Sequence, residues 1–359
     1  MHGDLSEEVY MKVPLSLSVS GSSPDGSPLV CRLTKSLYGL KQASRQWFSK
    51  LSIALISKGY RSNLNDYSLF TKNSATFIVV LAVYVDDILL AGDDTKETES
   101  LKYFLDAQFK IKDLGNIHYF LGLEVSSVVE GYLVNQHKFA KELLAEFNCS
   151  DCTPVVTPLD LNSKLTPTSR ELLPDPSLFK RVAGKLNFLQ HTRPDLSFSM
   201  QHLSQFLNAP KYLHMQAALH VLRYLLNDPA KGMLFNNFVG FSLIAYSDSD
   251  WATCYSFIKS VTDFFVILGG NPIFWKSKKQ PTVSLSSVEA EYRALRKIVA
   301  ELTRLIRLLG DLGVYVSQHV PIYYDNQAAL SIAMDPVDHE QTKHIELDCY
   351  FVGKKLGMV

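Results

Sequence analysis

The chain has 359 residues, of which 47% are hydrophobic and 20% are charged, the composition of an ordinary soluble globular protein with room for two or three domains. Lysine plus arginine equals aspartate plus glutamate at 36 each, so the whole-chain charge does not indicate a nucleic-acid partner. Five cysteines, an odd number, argue against a disulfide framework and for an intracellular protein. No apolar run approaches the roughly 20 residues of a membrane helix.

Cys149 and Cys152 form a C-x-x-C motif, but no second Cys/His pair at zinc spacing accompanies it, so a metal or redox role is disfavoured.

The predicted elements change in type along the chain. The patterns predict a loop at 15–28, a helix within 36–60, strand–turn–strand at 75–91, a helix at 101–109, strands at 117–134, a proline-rich loop at 149–176, helices at 178–226 and an α/β region from 241 onward.

Two adjacent acids, Asp86 and Asp87, interrupt the apolar β-rich run TFIVVLAVYVDDILLAG. Burying acids in such a run is costly unless they are paired or bind cations. At a hairpin tip, the two carboxylates could face one metal site, as two-metal phosphoryl transfer requires. The residue pair alone is equally compatible with a surface Asp-Asp turn, because aspartate is common in turns.

Six segments stand out along the chain, in the order HGDLSEEVYM, SLYGLKQASRQW, VYVDDILLAG, DLGNIHYFLGLEV, TRPDLSFSMQHLSQF and AALHVLRYL. Together they resemble the reverse transcriptase of copia-type LTR retrotransposons. The resemblance implies a palm hairpin with Asp86 and Asp87 at the metals and a nucleotide-facing segment at Tyr38, Gly39, Leu40 and Lys41. Ser44 stands where the family usually has proline.

The resemblance also bears on polymerase activity. In this family a third metal-binding aspartate lies a few residues before the HGDL segment, ahead of Met1 in the sequence given. Without that carboxylate the metal pair lacks a ligand. We therefore expect RNA-directed DNA polymerase activity to be lost or residual.

Acidic residues recur at element ends in the C-terminal region. Asp248 and Asp250 lie on a predicted strand, SLIAYSDSDW, and Asp325 ends a short β-run that leads into a helix. An aspartate there is as often a helix N-cap as a ligand. On the long helix that Ser286 caps, Glu291 belongs to the apolar stripe and is the candidate ligand. Glu289 pairs by spacing with Arg293 on the polar face and is assigned a structural role.

A basic run follows the strands of the same region, in the segment PIFWKSKKQ. Cations beside an aromatic residue suit a nucleic-acid backbone, although a solvated strand end explains the composition equally well. The candidate nucleic-acid-binding residues are Trp275, Lys276, Lys278 and Lys279.

One acid from a first strand, one from a helix, one from a later strand end and one from a terminal helix is the layout of the RNase H fold, which holds two divalent metals. AYSDSDWA, FWKSKKQPTVSLSSVEAEYRAL, YYDNQAAL and TKHIELD resemble the RNase H domain of the same copia-type polyprotein. The resemblance implies catalytic roles for Asp248, Glu291 and Asp325. Glu346 or Asp348 is the fourth ligand. Asp263 replaces a usual glycine.

Together these observations predict an α+β palm-type polymerase remnant with a helical thumb and connection, followed by an α/β RNase H-like domain. The expected divisions are 1–150, 151–240 and 241–359. The expected function is hydrolysis of the RNA strand of RNA–DNA hybrids with two Mg²⁺ ions, Mn²⁺ being the alternative ion. Deoxynucleotides are partners only if the polymerase is active. The expected location is the cytoplasm, in a virus-like particle, or the nucleus. The alternative is the product of a decayed element that only binds nucleic acid or is inactive.

Overall fold

The computed structural model divides into two compact units, residues 1–115 with 311–313, and residues 116–310 with 314–359. The expected domain divisions near residues 150 and 240 stay predictions. No helix in the described part is long and apolar enough to cross a membrane. The structure describes residues 7–17, 19, 28–37, 39–40, 42–85, 87–160, 165–166, 172–237, 240–254, 258–316, 319–334 and 352.

The first unit is built on a four-stranded antiparallel sheet in the order β3-β4-β5-β6. Its core forms because helix α1 buries residues at four-residue spacing, from Trp47 to Leu51 and Leu55, while strand β5 buries alternate residues, Val79 and Leu81. The elements are β1 (Tyr10–Lys12), β2 (Val30–Arg32), α1 (Ala43–Ser57), β3 (Arg61–Ser62), β4 (Leu69–Asn73), β5 (Ile78–Tyr84), β6 (Asp87–Gly92) and α2 (Thr95–Phe109).

The second unit begins with a four-stranded sheet in the order β10-β9-β8-β7, beside four helices that share one core. Helix α4 has a strong N-terminal signal, because Asp175 accepts a hydrogen bond from the Ser177 amide and Pro176 occupies the first turn. These elements are β7 (Tyr119–Phe120), β8 (Leu123–Val128), β9 (Gly131–Asn135), α3 (His137–Glu146), α4 (Pro176–Leu189), α5 (Ser197–Ser204), α6 (Tyr212–Leu225) and β10 (Met233–Asn236).

An ion pair between a buried arginine and a partly buried aspartate links these helices at the TRPD segment. Arg193 is only 4% exposed and donates from Nη2 and Nε to the Asp195 carboxylate, at 2.8 and 3.0 Å. The Tyr224 hydroxyl donates to the same carboxylate at 2.8 Å, and Arg193 Nη1 donates to the Asp228 carbonyl at 3.2 Å. Burial alone would raise the pKa of Asp195, but the hydrogen bonds and charge of Arg193 outweigh it and lower the pKa.

Removal of the arginine should therefore destabilise the protein. Arg193→Ala removes the main partner of the partly buried Asp195 carboxylate, which keeps the Tyr224 hydroxyl and Lys231 nearby, so the loss should approach but not reach the roughly 3–5 kcal/mol of a fully buried pair. Arg181→Ala is the control, because Arg181 pairs with Glu146 in a position that is about half exposed and should cost less than about 1 kcal/mol. Urea denaturation measures both variants. Equal losses would contradict a special role for the buried pair.

The remaining sheet of the second unit has the order β13-β12-β11-β14, with β14 parallel to β11 and the other pairs antiparallel. Gly269 and Gly270 close the β12–β13 hairpin at φ of 56° and 80°, the two positive values that a tight hairpin turn needs. The apolar stripe of α7 packs on the sheet through Ile298 and Val299. The elements are β11 (Leu243–Cys254), β12 (Lys259–Leu268), β13 (Asn271–Lys279), α7 (Ser287–Asp311), β14 (Ile322–Tyr323) and α8 (Gln327–Met334).

Candidate metal centre

Three acids from separate elements meet in the second unit. Asp248 lies on β11, Asp325 lies two residues beyond β14, and Glu291 lies in the first two turns of α7. The parallel pairing of Tyr246 with Tyr323 explains why the two aspartates are neighbours, since each lies two residues farther along its chain. One carboxylate oxygen from each acid lies within 4.8 Å of the others. The convergence expected from the sequence is therefore present.

The electrostatics of this site are unfavourable without a cation. Asp248 and Asp325 are exposed, whereas Glu291 is 7% exposed and its Oε2 atom has no hydrogen-bond partner among the described residues. Burial, and then the charges of Asp248 and Asp325, raise the pKa of Glu291 to about 7. Burial and the charge of Glu291 likewise raise the pKa of Tyr324.

These residues fit a hard divalent cation. Mg²⁺ and Mn²⁺ prefer carboxylate oxygens, and a cation would offset the repulsion among the three acids. The buried Oε2 atom of Glu291 has no hydrogen-bond partner among the described groups, which fits an oxygen that would bind a cation. Asp248, Glu291 and Asp325 would hold the ion.

Two predictions about acids at or next to this site are corrected by the structure. Asn326, and not Asp325, caps helix α8, because its Oδ1 accepts a hydrogen bond from the Ala329 amide at 2.9 Å. The cap alternative for Asp325 is therefore wrong. The expected position of Glu289 on a polar face is also wrong, since Glu289 is 3% exposed. Its carboxylate binds Arg293 at 2.5 Å, as expected, and accepts from the Leu285 amide at 2.7 Å.

A buried glutamine connects the sheet to the start of α7. Gln280 Nε2 donates to the Ala290 carbonyl at 2.8 Å and to the Thr262 hydroxyl at 3.1 Å. Its Oε1 accepts from the Ser284 hydroxyl at 2.9 Å. Because Ala290 precedes Glu291 in the helix, the hydrogen bond from Gln280 helps to position the buried Glu291 ligand. Sequence reasoning missed Gln280, which is one polar residue in a polar segment before a proline.

The positions matched to a polymerase lie in the first unit. Asp87 begins β6, is exposed and pairs with Tyr84 across the β5–β6 hairpin, so the tight turn expected from the sequence is present. Gly39 has a φ of 97°, in the left-handed region that favours glycine. Several predicted site residues lie outside the described residues, namely Tyr38, Lys41, Asp86, Glu346 and Asp348.

Comparison with known proteins identifies the family. Residues 1–161 match the family "Reverse transcriptase (RNA-dependent DNA polymerase)". The chain is 41% identical over 99% of its length to the retrovirus-related Pol polyprotein from transposon RE2 of Arabidopsis thaliana, of which it covers 24%. An uncharacterized mitochondrial protein of the same plant is 40% identical over 62% of the chain and 92% of its own length. The chain belongs to the copia-type retrotransposon Pol family.

A third relative, the Pol polyprotein from transposon TNT 1-94 of Nicotiana tabacum, is 33% identical over 98% of the chain and 27% of its own length. The chain thus spans about a quarter of these Pol polyproteins. The family resemblance expected from the sequence is confirmed. Reverse transcriptases are nucleotidyltransferases that bind a template-primer and generally use divalent metals.

The four candidate nucleic-acid-binding residues of this Pol-family chain lie on opposite faces of β13. Trp275 donates from Nε1 to the Gln190 carbonyl at 2.9 Å, and Lys279 donates to Gln205 Oε1 at 3.3 Å. Lys276 and Lys278 alternate with these residues and point to the other face. There they approach Lys297 of α7, whose pKa is lowered by burial and then by the charges of those two lysines.

Proposed function

We propose that residues 241–359 form an RNase H-type nuclease that hydrolyses the RNA strand of RNA–DNA hybrids. The observation that carries this proposal is the convergence of Asp248, Glu291 and Asp325 within 4.8 Å, with a buried Glu291 oxygen that has no described partner. In the same proposal, residues 1–150 are a reverse transcriptase palm and fingers region. Residues 151–240 are the thumb and connection.

The residues of the site would have separate roles in metal binding and in substrate binding. When bound, divalent metals supply an activated water and stabilise the leaving oxygen of the phosphodiester. Asp248 and Asp325 are exposed and would face the substrate, while Glu291 is buried and would fix its ligand oxygen in place. Lys276, Lys278 and the nearby Lys297 would bind backbone phosphates, because clustered lysines on one surface attract a polyanion.

Substrate choice tests this proposal. With magnesium present, we expect the chain to cut the labelled RNA strand of a hybrid and to leave the DNA strand and single-stranded RNA intact. The measurement is gel analysis of both strands, each labelled in turn. Cleavage of the DNA strand at an equal rate would contradict the hybrid-specific function and indicate a general nuclease.

The lost or residual polymerase activity expected from the sequence resemblance stays a prediction. Primer extension on the purified chain, with magnesium and the templated deoxynucleotide, measures it directly. Extended product above background would overturn that expectation and would leave the nuclease proposal untouched.

A further inference from the structure

A row of aromatic side chains crosses all four strands of the β13-β12-β11-β14 sheet. Tyr323 pairs in register with Tyr246, Tyr246 with Phe265, and Phe265 with Trp275. The Tyr246 and Tyr323 rings are stacked, with centroids 5.1 Å apart and planes 18° apart. The Phe265 and Trp275 rings are tilted at 34°, with centroids 6.3 Å apart. The four side chains therefore lie in one row on one face of the sheet, an aromatic strip made of two ring pairs.

The two ends of this strip differ in what covers them. At one end, Trp275 is anchored by its hydrogen bond to the Gln190 carbonyl. At the other end, Tyr246 is 43% exposed and Tyr323 is 54% exposed. Two stacked tyrosines that both leave this much ring surface in solvent are an open surface for another planar group.

A cavity of about 680 Å³ lies over the strip, within the size range of sites that bind small organic groups. Pro194, just before α5, and Phe198, in its first turn, line it together with the aromatic strip. Asp248 and Asp325 line the same cavity. Each lies two residues beyond a tyrosine of the stacked pair, a distance of about 7 Å along a strand.

We propose that the Tyr246–Tyr323 pair stacks one unpaired nucleobase of the nucleic-acid strand held at the neighbouring acids. This inference rests on the proposed function, because a phosphate at the metal centre brings the adjoining nucleotide within reach of the rings. A nucleobase is flat and uncharged, so it suits ring faces beside carboxylates, which repel a free phosphate or carboxylate group. A paired base is already stacked inside the duplex, and only an unpaired one has a free face.

The test uses a hybrid with one unpaired 2-aminopurine in the RNA strand, 2′-O-methylated throughout so that it is not hydrolysed. Stacking quenches the fluorescence of this base. With magnesium, the wild-type chain should quench it on binding. Tyr323→Ala should weaken that binding about 5- to 100-fold, the range for loss of one stacked base. Tyr323→Phe keeps the ring and should behave as wild type.

The matched control is Tyr132→Ala, since Tyr132 is 48% exposed on β9 and does not line the cavity. It should leave quenching and affinity unchanged. Unchanged quenching by Tyr323→Ala would overturn the inference, as would equal losses in the Ala and Phe variants. Equally tight binding of free 2-aminopurine riboside monophosphate would also overturn it, because the site would then take free nucleotides.

The readout also separates this inference from the proposed function. Quenching requires no hydrolysis, so a chain that quenches through Tyr323 but never cuts a hybrid would contradict only the nuclease proposal. A chain that cuts hybrids, and whose Tyr323→Ala variant quenches normally, would contradict only the stacking site.

Discussion

Asp248→Asn should reduce cleavage of an RNA–DNA hybrid at least about 100-fold. Loss of even an outer partner of a metal ligand commonly costs 10- to 100-fold in activity or metal affinity, and Asp248 supplies one of the three converging ligand atoms. Binding of the hybrid should stay within about threefold of wild type, because phosphate contacts by lysines provide most of the affinity. Fluorescence anisotropy measures binding, and gel analysis of the labelled RNA measures cleavage.

Asp250→Asn is the matched control for this variant. Asp250 lies on the same strand two residues farther along, and its pKa is raised by burial and then by the charge of Asp248. It is not one of the three acids whose oxygens converge. We expect the activity of this variant to stay within a few-fold of wild type. A loss as large as that of Asp248→Asn would mean that cleavage depends on negative charge anywhere on this strand, and not on the three-acid site.

Glu291→Gln should reduce cleavage as strongly as Asp248→Asn. It should also stabilise the metal-free protein above neutral pH. The folded pKa of Glu291, about 7, lies above its ordinary value of 4.5, so the folded state binds a proton more tightly than the unfolded state. Stability from this group is therefore present at pH 4.5 and is lost as the pH rises to about 7. The loss is on the order of 1–3 kcal/mol, since one pKa unit corresponds to about 1.4 kcal/mol.

The measurement is urea denaturation in chelator at pH 5 and pH 8, for wild type and Glu291→Gln. The wild type should lose more stability than the variant between these two pH values. The difference should shrink when magnesium is added, because a bound cation replaces the proton. An identical pH dependence in the two proteins would contradict the burial of a charged Glu291.

Much of the metal site could be predicted from the sequence because its ligands interrupt clear patterns. Glu291 falls on the apolar stripe of α7, and an acid there needs a partner. Asp248 lies within one β-rich run and Asp325 ends another, and the topology brings those runs together as parallel neighbours. Their catalytic role stays a prediction.

Other features depended on packing that no local pattern reveals. Glu289 has the four-residue spacing to Arg293 that is typical of an exposed helix face, yet the segment before the helix covers it. Gln280 has no periodic signal, and its importance appears only from its buried hydrogen bonds. The aromatic strip had a partial signal, because Tyr246 and Tyr323 each precede a site aspartate by two residues.

The most direct test of the central claim compares wild type and Asp248→Asn, purified identically, on one labelled RNA–DNA hybrid, with magnesium and with chelator. We expect rapid cleavage of the RNA strand only by the wild type with magnesium. Equal cleavage by both proteins would contradict the assignment of the site to Asp248, Glu291 and Asp325. Absence of cleavage by either protein would contradict the nuclease function and favour the product of a decayed element that only binds nucleic acid or is inactive.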